Sequence, residues 1–512
     1  MRVCWKKSLL FRGLFHSARA LRLAAVVPAG LAVAGCDLDW KKPSFEIPDP
    51  PKFRAAAEKP ADPVPDRWAD TFGSRELSAL VDRALADNLD IAAAVARIAQ
   101  ADAQAKISSV ALFPLVTMND SSQRARSPGT ASSMLPPKAS DGTYHFSGSY
   151  RSLNVLGLNA SYEIDFWGKN RDASSAARLL AEASRYDRAV VQIATLASLV
   201  NSYFAVLGAQ DRLRIARDNV RIASEVLRAI KARVAVGTAS ELDLAQQESV
   251  LATQRANIPT LEQQVAQTRN LIAVLVGQAP ELIDIKGGSL SSLRAPRLQP
   301  GLPSQLLLRR PDIVEAETKV AASELSVSAA RAAMFPSITL TGGYGVQAQL
   351  LKFLLRPEAV AWSYAAQLAR PITDGRNLQS QLDLQRGKYA ELLQLYHKQI
   401  ITAFSDVENA LIAVQKNTQR ERLQQAAAAA SRRAYNAAIK RLQEGTIDVV
   451  TLSTTQTTLF QNLDLVAQTR IARFQSLVSL YQALGGGWSD VKRELARLEE
   501  QAAFRDPKGI LP

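Results

Sequence analysis

Cysteine and histidine are scarce in this chain, and their scarcity argues against several kinds of site. The only two cysteines among the 512 residues, Cys4 and Cys36, lie near the N-terminus. The three histidines, His16, His145 and His397, have neither the spacing of a metal cluster nor that of a catalytic triad. We therefore expect no catalytic residues, no cofactor and no metal, and we predict that the protein is not an enzyme.

Aromatic residues are also few, at 6% of the chain, although 47% of it is hydrophobic, which is ample for a large core. Basic residues outnumber acidic ones by 62 to 48, giving a formal charge of +14. Six basic residues precede residue 36 with no acid among them, so the rest of the chain carries 14 − 6 = +8. The sequence contains no basic stripe interleaved with aromatic residues, so we predict no nucleic-acid partner.

The first 35 residues predict an export signal. A basic region to Arg22 is followed by an apolar run from Leu23 to Ala34, which is too short to span a bilayer permanently. Small residues then stand directly before Cys36, as in the lipobox of bacterial lipoproteins, where the signal is cut before the cysteine and that cysteine is lipidated. The alternative is a chance cysteine in a membrane anchor. Cleavage would also remove Cys4, leaving no pair for a disulfide.

Proline and glycine mark the segments outside the regular elements. Residues 36–75 contain seven prolines, which favour an extended course, and we predict a strap from the lipid anchor to the body. Residues 277–303 contain four prolines and four glycines and predict a connector. Residues 485–512 form a charged tail, in which a short helix is predicted at 490–503.

The stretch from Leu308 to Gly345 changes its hydrophobic period in the middle. From Pro311 to Met334, apolar residues recur every seven positions, which predicts a helix with a narrow packing seam. Phe335-Pro336 ends that pattern, because the residue before a proline favours extended backbone. Strict alternation of apolar and polar residues follows, which predicts a strand with one apolar face.

The same pattern occurs 222 residues earlier, where Asn88 and Pro114 correspond to Arg310 and Pro336. We predict an internal duplication, with a first repeat over 76–276 and a second over 304–484. A helix is predicted over 74–112, with a break near Asn88, which can cap its second part. Strands are predicted at about 113–119, 153–166, 337–347 and 361–371, with an exposed loop over 120–149.

The predicted strands suit a tilted crossing of a bilayer, with one apolar and one polar face. Each chain supplies only four strands, whereas the smallest closed barrels have about eight, and a sheet edge cannot stay unpaired in lipid. We therefore predict that several copies close a shared barrel around water. The alternative is a half-buried sheet in a soluble protein.

Each strand pair is followed by a very long helical stretch, over 170–236 and 388–444, and the first would be about 100 Å long. A glycine follows each stretch, Gly237 or Gly445, and a second helix returns over 240–276 or 448–484. A bilayer-sized barrel with this extension predicts a conduit that bridges a periplasm. The alternative is a periplasmic coiled-coil structural lipoprotein without a lumen.

Four motifs are specific in combination: LPSQLLLRRPDI at 302–313, AARAAMFPSI at 329–338, ADNLDI at 86–91 and DFWG at 165–168. With them, the chain resembles the outer-membrane efflux protein family, which is TolC-like, and in particular its lipoprotein branch related to NodT and OprM. The resemblance covers roughly residues 36–485.

The resemblance implies a mainly α fold with a membrane β-barrel: a homotrimer whose 12-stranded barrel continues as an α-helical barrel. It implies a passive exit duct for small toxic compounds in the cell outer membrane, lipid-anchored and extending into the periplasm. The implied partners are a periplasmic adaptor (membrane fusion protein), an inner-membrane efflux transporter and the lipid bilayer. A type I protein or peptide secretion duct of the same fold is the alternative. The adaptor would contact six residues at the hairpin tips: Arg233, Gly237, Thr238, Arg441, Gly445 and Thr446.

Two features depart from the family pattern. Relatives place acidic residues about two turns after the second tip glycine, around the closed aperture, but this chain has Thr451 and Thr454 there. Asp37 follows the lipidated cysteine, and in enteric bacteria an aspartate at that position favours retention in the inner membrane. For the aperture we predict a constriction that includes Asp448, Val450, Leu452 and Thr454.

Overall fold

The computed structural model describes residues 67–128, 148–296 and 309–488, with short pieces at 42–43, 53–54, 65, 130, 137–140, 142–144 and 146. The chain divides into one unit over Met1–Glu46 and another over Ile47–Pro512, and all helices and strands given below belong to the second. The predicted signal peptide, Cys36, Asp37, most of the strap and the predicted tail helix lie outside the described residues.

Both halves of the chain run in the same order, from helix through two strands to a long helical hairpin. The first half contains α1 Arg75–Asp87, α2 Leu89–Ser109, β1 Leu115–Ser127, β2 Ser149–Ile164, α3 Lys169–Ala235 and α4 Glu241–Leu275. The second half contains α5 Pro311–Ala332, β3 Ser337–Ala348, β4 Val360–Ala369, α6 Asn377–Gln443 and α7 Val449–Ala483. Because α3 and α6 have 67 residues each, each is about 100 Å long.

Two of the predicted bounds are wrong. β1 reaches Ser127, so the predicted loop over 120–149 begins as strand, and its first eight residues pair with β2. α6 begins at Asn377 rather than near Lys388, because the helix continues through Gly387. A glycine inside a helix costs about 1 kcal/mol relative to alanine, which a helix of this length tolerates. The bounds of the other three strands lie within four residues of those predicted.

The break between α1 and α2 lies at Asn88, which caps α2 as predicted. Its Oδ1 accepts hydrogen bonds from the backbone N–H groups of Asp90 and Ile91, both at 2.9 Å. Its Nδ2 donates to the carbonyl of Leu275 at 2.8 Å, and the residue is 3% exposed. Asn88 therefore both caps α2 and ties it to the end of α4.

The main core lies where α1, α3 and α7 meet. Trp68 stacks on Tyr481 with ring centroids 4.8 Å apart, and Phe72 packs edge-on against Phe204 at 4.9 Å. Among the helices in the described part of the chain, only α3 is long and apolar enough to cross a membrane. In its most apolar 18-residue window, however, 61% is buried within the protein, so we interpret α3 as a core helix.

The four strands form one antiparallel sheet in the order β1-β2-β3-β4. The register is continuous in each pair, with Leu115 opposite Ser161, Ile164 opposite Ile338 and Val346 opposite Val360. β1 and β2 remain paired past the point at which β3 ends. The β1–β2 hairpin therefore projects beyond the rest of the sheet.

Candidate functional site: the sheet faces and the hairpin tips

The continuous register gives all four strands one shared parity. Even-numbered residues of every strand lie on one face of the sheet, and odd-numbered residues lie on the other. The even face is apolar over its central part, which we call the apolar band. The band consists of Val116, Met118, Leu156, Leu158, Ala160, Tyr162, Ile164, Ile338, Leu340, Tyr344, Val346, Val360, Trp362, Tyr364, Ala366 and Leu368.

Large side chains of the apolar band are exposed rather than packed. Trp362 is 69% exposed, Tyr364 is 81% exposed and Met118 is 69% exposed. The rings of Trp362 and Tyr364 stack with centroids 5.8 Å apart. Burying such a side chain is worth about 1.5–3 kcal/mol, so a continuous band of them fits hydrocarbon far better than water.

The odd face is polar and nearly uncharged. Within the four strands its only ionisable residues are Arg151 and Glu163, and the Glu163 carboxylate pairs with the Lys169 ammonium at 2.6 Å. A face of neutral hydroxyl and amide groups suits contact with water and with dissolved compounds. Between alanines, glycines and Leu115, Leu153 and Val155, it presents Thr117, Asn119, Ser121, Gln123, Asn159, Ser161, Thr339, Thr341, Gln347, Ser363 and Gln367.

Both edges of the sheet are open. Among the residues that the structure describes, β1 and β4 each pair with one neighbour only, and every residue of both strands is exposed. In lipid, an unpaired backbone group costs several kcal/mol, so a sheet with this apolar face needs partner strands at both edges. The sheet of a single chain therefore cannot close on itself in lipid.

The two hairpin tips are built in the same way. Gly237 and Gly445 have φ values of 74° and 75°, which favour glycine at the end of α3 and of α6. Next to them, the N–H groups of Thr238 and Thr446 donate to the carbonyls five residues back, those of Arg233 and Arg441, at 2.8 and 2.9 Å. The threonine hydroxyls donate to the same carbonyls at 3.1 and 3.0 Å.

The residues expected to contact an adaptor therefore lie together in two matching turns. A Cβ at either tip glycine would meet no atom within 4 Å, so both turns are open to solvent.

Arg233 joins the two tips. Its Nη1 donates to the carbonyl of Leu442, at the end of α6, at 3.0 Å. The same carbonyl accepts the N–H of Gly445 at 3.1 Å, so this charge-assisted bond adds a link from the first hairpin to a carbonyl within the second turn. Arg441 occupies the matching place in the second tip but is exposed and makes no equivalent bond within the described part of the chain.

The four residues of the predicted constriction lie at the start of α7, but they differ in their exposure to solvent. Val450 is 46% exposed, and Thr454, one helical turn later, is exposed beside it. Leu452 is 1% exposed and packs in the core with Leu459 and Phe460, so its side chain is not available to line an aperture. That part of the prediction is corrected by the structure.

Asp448 caps the N-terminus of α7, whereas Val450 and Thr454 lie side by side on the exposed surface of that helix. Its Oδ1 accepts the N–H of Thr451 at 2.8 Å. Hydrogen bonds from the side chain and then the backbone of Thr451 hold the pKa of Asp448 below its usual value. Its carboxylate is therefore ionised at neutral pH and engaged in the helix cap.

A buried amide pair between the hairpins has no signal in the sequence. Gln247 of α4 donates from Nε2 to the carbonyl of Ala223 and to Oε1 of Gln456 in α7, both at 3.2 Å. Both glutamines are fully buried. Because the two glutamines lie in separate helices, no spacing in the sequence relates them, and only the packed structure reveals their contact.

A two-faced sheet with open edges, above paired helical hairpins of equal length, defines a subunit of a membrane channel with a long helical extension. The family model for "Outer membrane efflux protein" matches residues 80–278 and 302–486, and the chain belongs to that family. It is an outer-membrane efflux channel protein.

Named relatives agree with this assignment. The chain is 37% identical over 453 residues to the pyoverdine export outer membrane protein OpmQ of Pseudomonas aeruginosa, covering 87% of this chain and 92% of that protein. It is 28% identical to the cation efflux system protein CusC of Escherichia coli K12, covering 89% and 97%.

Solved structures share the fold. The outer-membrane channel OprN has a TM-score of 0.79 at 28% identity, covering 88% of this chain and 99% of that one. The Neisseria gonorrhoeae MtrE outer membrane channel, solved in its open state, has a TM-score of 0.77 at 25% identity, covering 88% and 97%.

We predict that Arg233→Ala loosens the second tip. The Leu442 carbonyl would lose a hydrogen bond worth about 1.5 kcal/mol, so the amides of residues 440–447 should exchange with solvent roughly tenfold faster. Hydrogen exchange with mass spectrometry measures this. Arg441→Ala removes the same charge without that bond and serves as the control. Unchanged exchange in Arg233→Ala would contradict the link.

Proposed function

We propose that three copies of the chain close a 12-stranded barrel in the outer membrane, continued by an α-helical barrel that extends into the periplasm. The observation that carries this proposal is the sheet with an apolar band, a polar odd face and two open edges. β4 of one copy would pair with β1 of the next, so 3 × 4 = 12 strands leave no edge in lipid. The trimer number comes from the family resemblance.

The assembled protein would act as a passive exit duct. The odd faces would line the barrel with neutral hydroxyl and amide groups, which bind no single class of solute strongly. Such a lining supports release of varied small toxic compounds rather than selection among them. Two relatives above 30% identity are pyoverdine export proteins, which extends the cargo we propose to small secreted metabolites.

Cargo would enter from a periplasmic adaptor fed by an inner-membrane efflux transporter, the three components forming a tripartite pump. The adaptor would dock end-on at the tips, at Arg233, Gly237, Thr238, Arg441, Gly445 and Thr446. The two open turns and their equal helix lengths support this, because a flat end built from six matching turns suits end-on docking.

The N-terminal segment would fix the protein to the membrane through lipidated Cys36. The strap that follows touches the body at Phe53, which is 4% exposed and packs with Val407 and Leu480. The mass of the mature N-terminal peptide tests the anchor. We expect a peptide that begins at an acylated Cys36, and in Cys36→Ser the acyl mass should be absent. An unmodified Cys36 in the mature protein would refute lipidation.

The channel itself is tested in planar bilayers. We expect the purified protein to give discrete conductance steps, and we expect Mg²⁺ not to block them, because Val450 and Thr454 carry no carboxylate and that of Asp448 is engaged in the cap of α7. Thr454→Asp should bring three carboxylates together and lower the half-blocking Mg²⁺ concentration about tenfold.

Asn270→Asp, which is exposed near the end of α4 farthest from the tip, adds the same charges away from the constriction and is the control. Absence of conductance from the assembled protein would overturn the duct. Equal block in the two variants would overturn the placement of Thr454 at the constriction.

Docking at the tips predicts that Gly445→Arg weakens adaptor binding. Arginine adds bulk and charge where a Cβ now meets nothing, and its left-handed backbone costs about 1–2 kcal/mol. Co-purification of the adaptor should fall about tenfold, while the thermal unfolding midpoint changes little. Gly445→Asn, which tolerates the same φ, should retain the adaptor. Normal co-purification with Gly445→Arg would count against this contact.

A further inference from the structure

The outward face of the β1–β2 hairpin continues past the apolar band and changes character there. β3 ends opposite Asn154, whereas β1 and β2 stay paired as far as Ser127 and Ser149. By the shared parity, Arg124, Arg126 and Tyr150 lie on the even face of this projection. They therefore share a face with the residues that fit hydrocarbon, although they are among the most polar groups of the sheet.

The two arginines are held by one aromatic ring. The guanidinium carbons of Arg124 and Arg126 lie 5.3 and 5.7 Å from the centroid of the Tyr150 ring, which is 65% exposed. Cation–π attraction offsets the repulsion between the two like charges. This arrangement places the N–H donors of two guanidinium groups on one side of the hairpin.

Neither guanidinium has a carboxylate partner among the residues the structure describes. The one acidic residue on the even face of the strands is Asp120, four positions from Arg124 and so about 13 Å away along the strand. Arginine pairs that are not neutralised internally are suited to bidentate binding of phosphate.

The distance of Arg124 and Arg126 from the apolar band indicates which kind of phosphate group they meet. Leu156 is the last apolar residue of β2 on the even face, and Ser152, opposite Arg124, lies four residues further on. Four residues span about 13 Å along a strand, or about 9 Å along the membrane normal at a tilt of about 45°. Arginine side chains at that height reach the headgroup layer.

The connection between β3 and β4 also carries basic residues beside an aromatic ring. Lys352 and Arg356 lie 5.0 and 4.6 Å from the ring of Phe353, between β3 and β4. The external end of each subunit thus carries cations beside aromatic rings in both of its strand hairpins, which favours an anionic surface around it.

We propose that Arg124 and Arg126, held by Tyr150, bind phosphate groups of lipid headgroups in the outer leaflet that surrounds the channel. This rests on the proposed barrel, which sets the even face toward lipid. The bound lipids would form a shell around the external rim and stabilise the assembled channel there.

Arg151 provides a matched control, because it lies on the same hairpin but on the odd face. The probes are diphosphorylated lipid A and its dephosphorylated form, added to the detergent-solubilised assembly. Lipid retention is measured by native mass spectrometry and stabilisation by the temperature at which the assembly dissociates.

For wild type and Arg151→Gln, we expect diphosphorylated lipid A to be retained and to raise the dissociation temperature. The double variant Arg124→Gln, Arg126→Gln should need about tenfold more lipid for the same retention, and dephosphorylated lipid should bind all three proteins equally weakly.

Three results would overturn the proposal. They are equal retention by the double variant, equal loss in Arg151→Gln, and displacement of the lipid effect by inorganic phosphate alone, which would indicate a free-anion site. A lower dissociation temperature of the double variant without lipid would assign the arginines to a subunit contact instead. Conductance of the double variant is recorded separately, so that loss of lipid binding with normal conductance leaves the proposed duct intact.

Discussion

Unpaired backbone at the two edges of the sheet is the constraint on which the rest of this structure depends. β1 and β4 present a row of N–H and C=O groups with no partner, beside an apolar band that fits hydrocarbon. Water could form hydrogen bonds with the unpaired backbone groups, but it would leave the apolar band exposed to solvent. Lipid could cover the apolar band, but it could not form hydrogen bonds with the backbone. The pairing that we propose between subunits would resolve the conflict, so the open edges would serve assembly rather than being a defect of the fold.

The helical body can be understood from the same requirement. Each strand pair leads directly into a 67-residue helix, so the sheet continues into two helical hairpins of equal reach. Buried contacts keep the hairpins together along their length. Gln247 meets Gln456 in the interior, and Arg233 of the first tip holds the end of α6. The turns at the far end are thereby fixed relative to one another.

Local chemistry made much of this fold predictable from the sequence. The cap at Asn88 and the glycine turns at Gly237 and Gly445 depend on residues within a few positions, and each has the predicted conformation. The features that could not be predicted depend on distant partners. Residues 120–127 contain serine and arginine without apolar alternation, and they form strand because β2 pairs with them.

Leu452 shows a different limit. Its position near the second tip favours the constriction, yet its spacing of seven residues from Leu459 puts both in the core. Its burial could have been inferred from that period. The common parity of four strands could not, because it depends on the register between β2 and β3, whose paired residues lie up to 348 − 154 = 194 positions apart in the two halves.

That common parity limits how the gene can change. Removing or adding one codon within any strand would exchange the two faces for the rest of that strand. Apolar side chains would then lie on the polar face, and hydroxyl groups would lie on the face that fits hydrocarbon. Single exchanges, or gains and losses in pairs, preserve the pattern. Length variation among descendants of this chain should therefore accumulate in the external connections, where the two halves already differ.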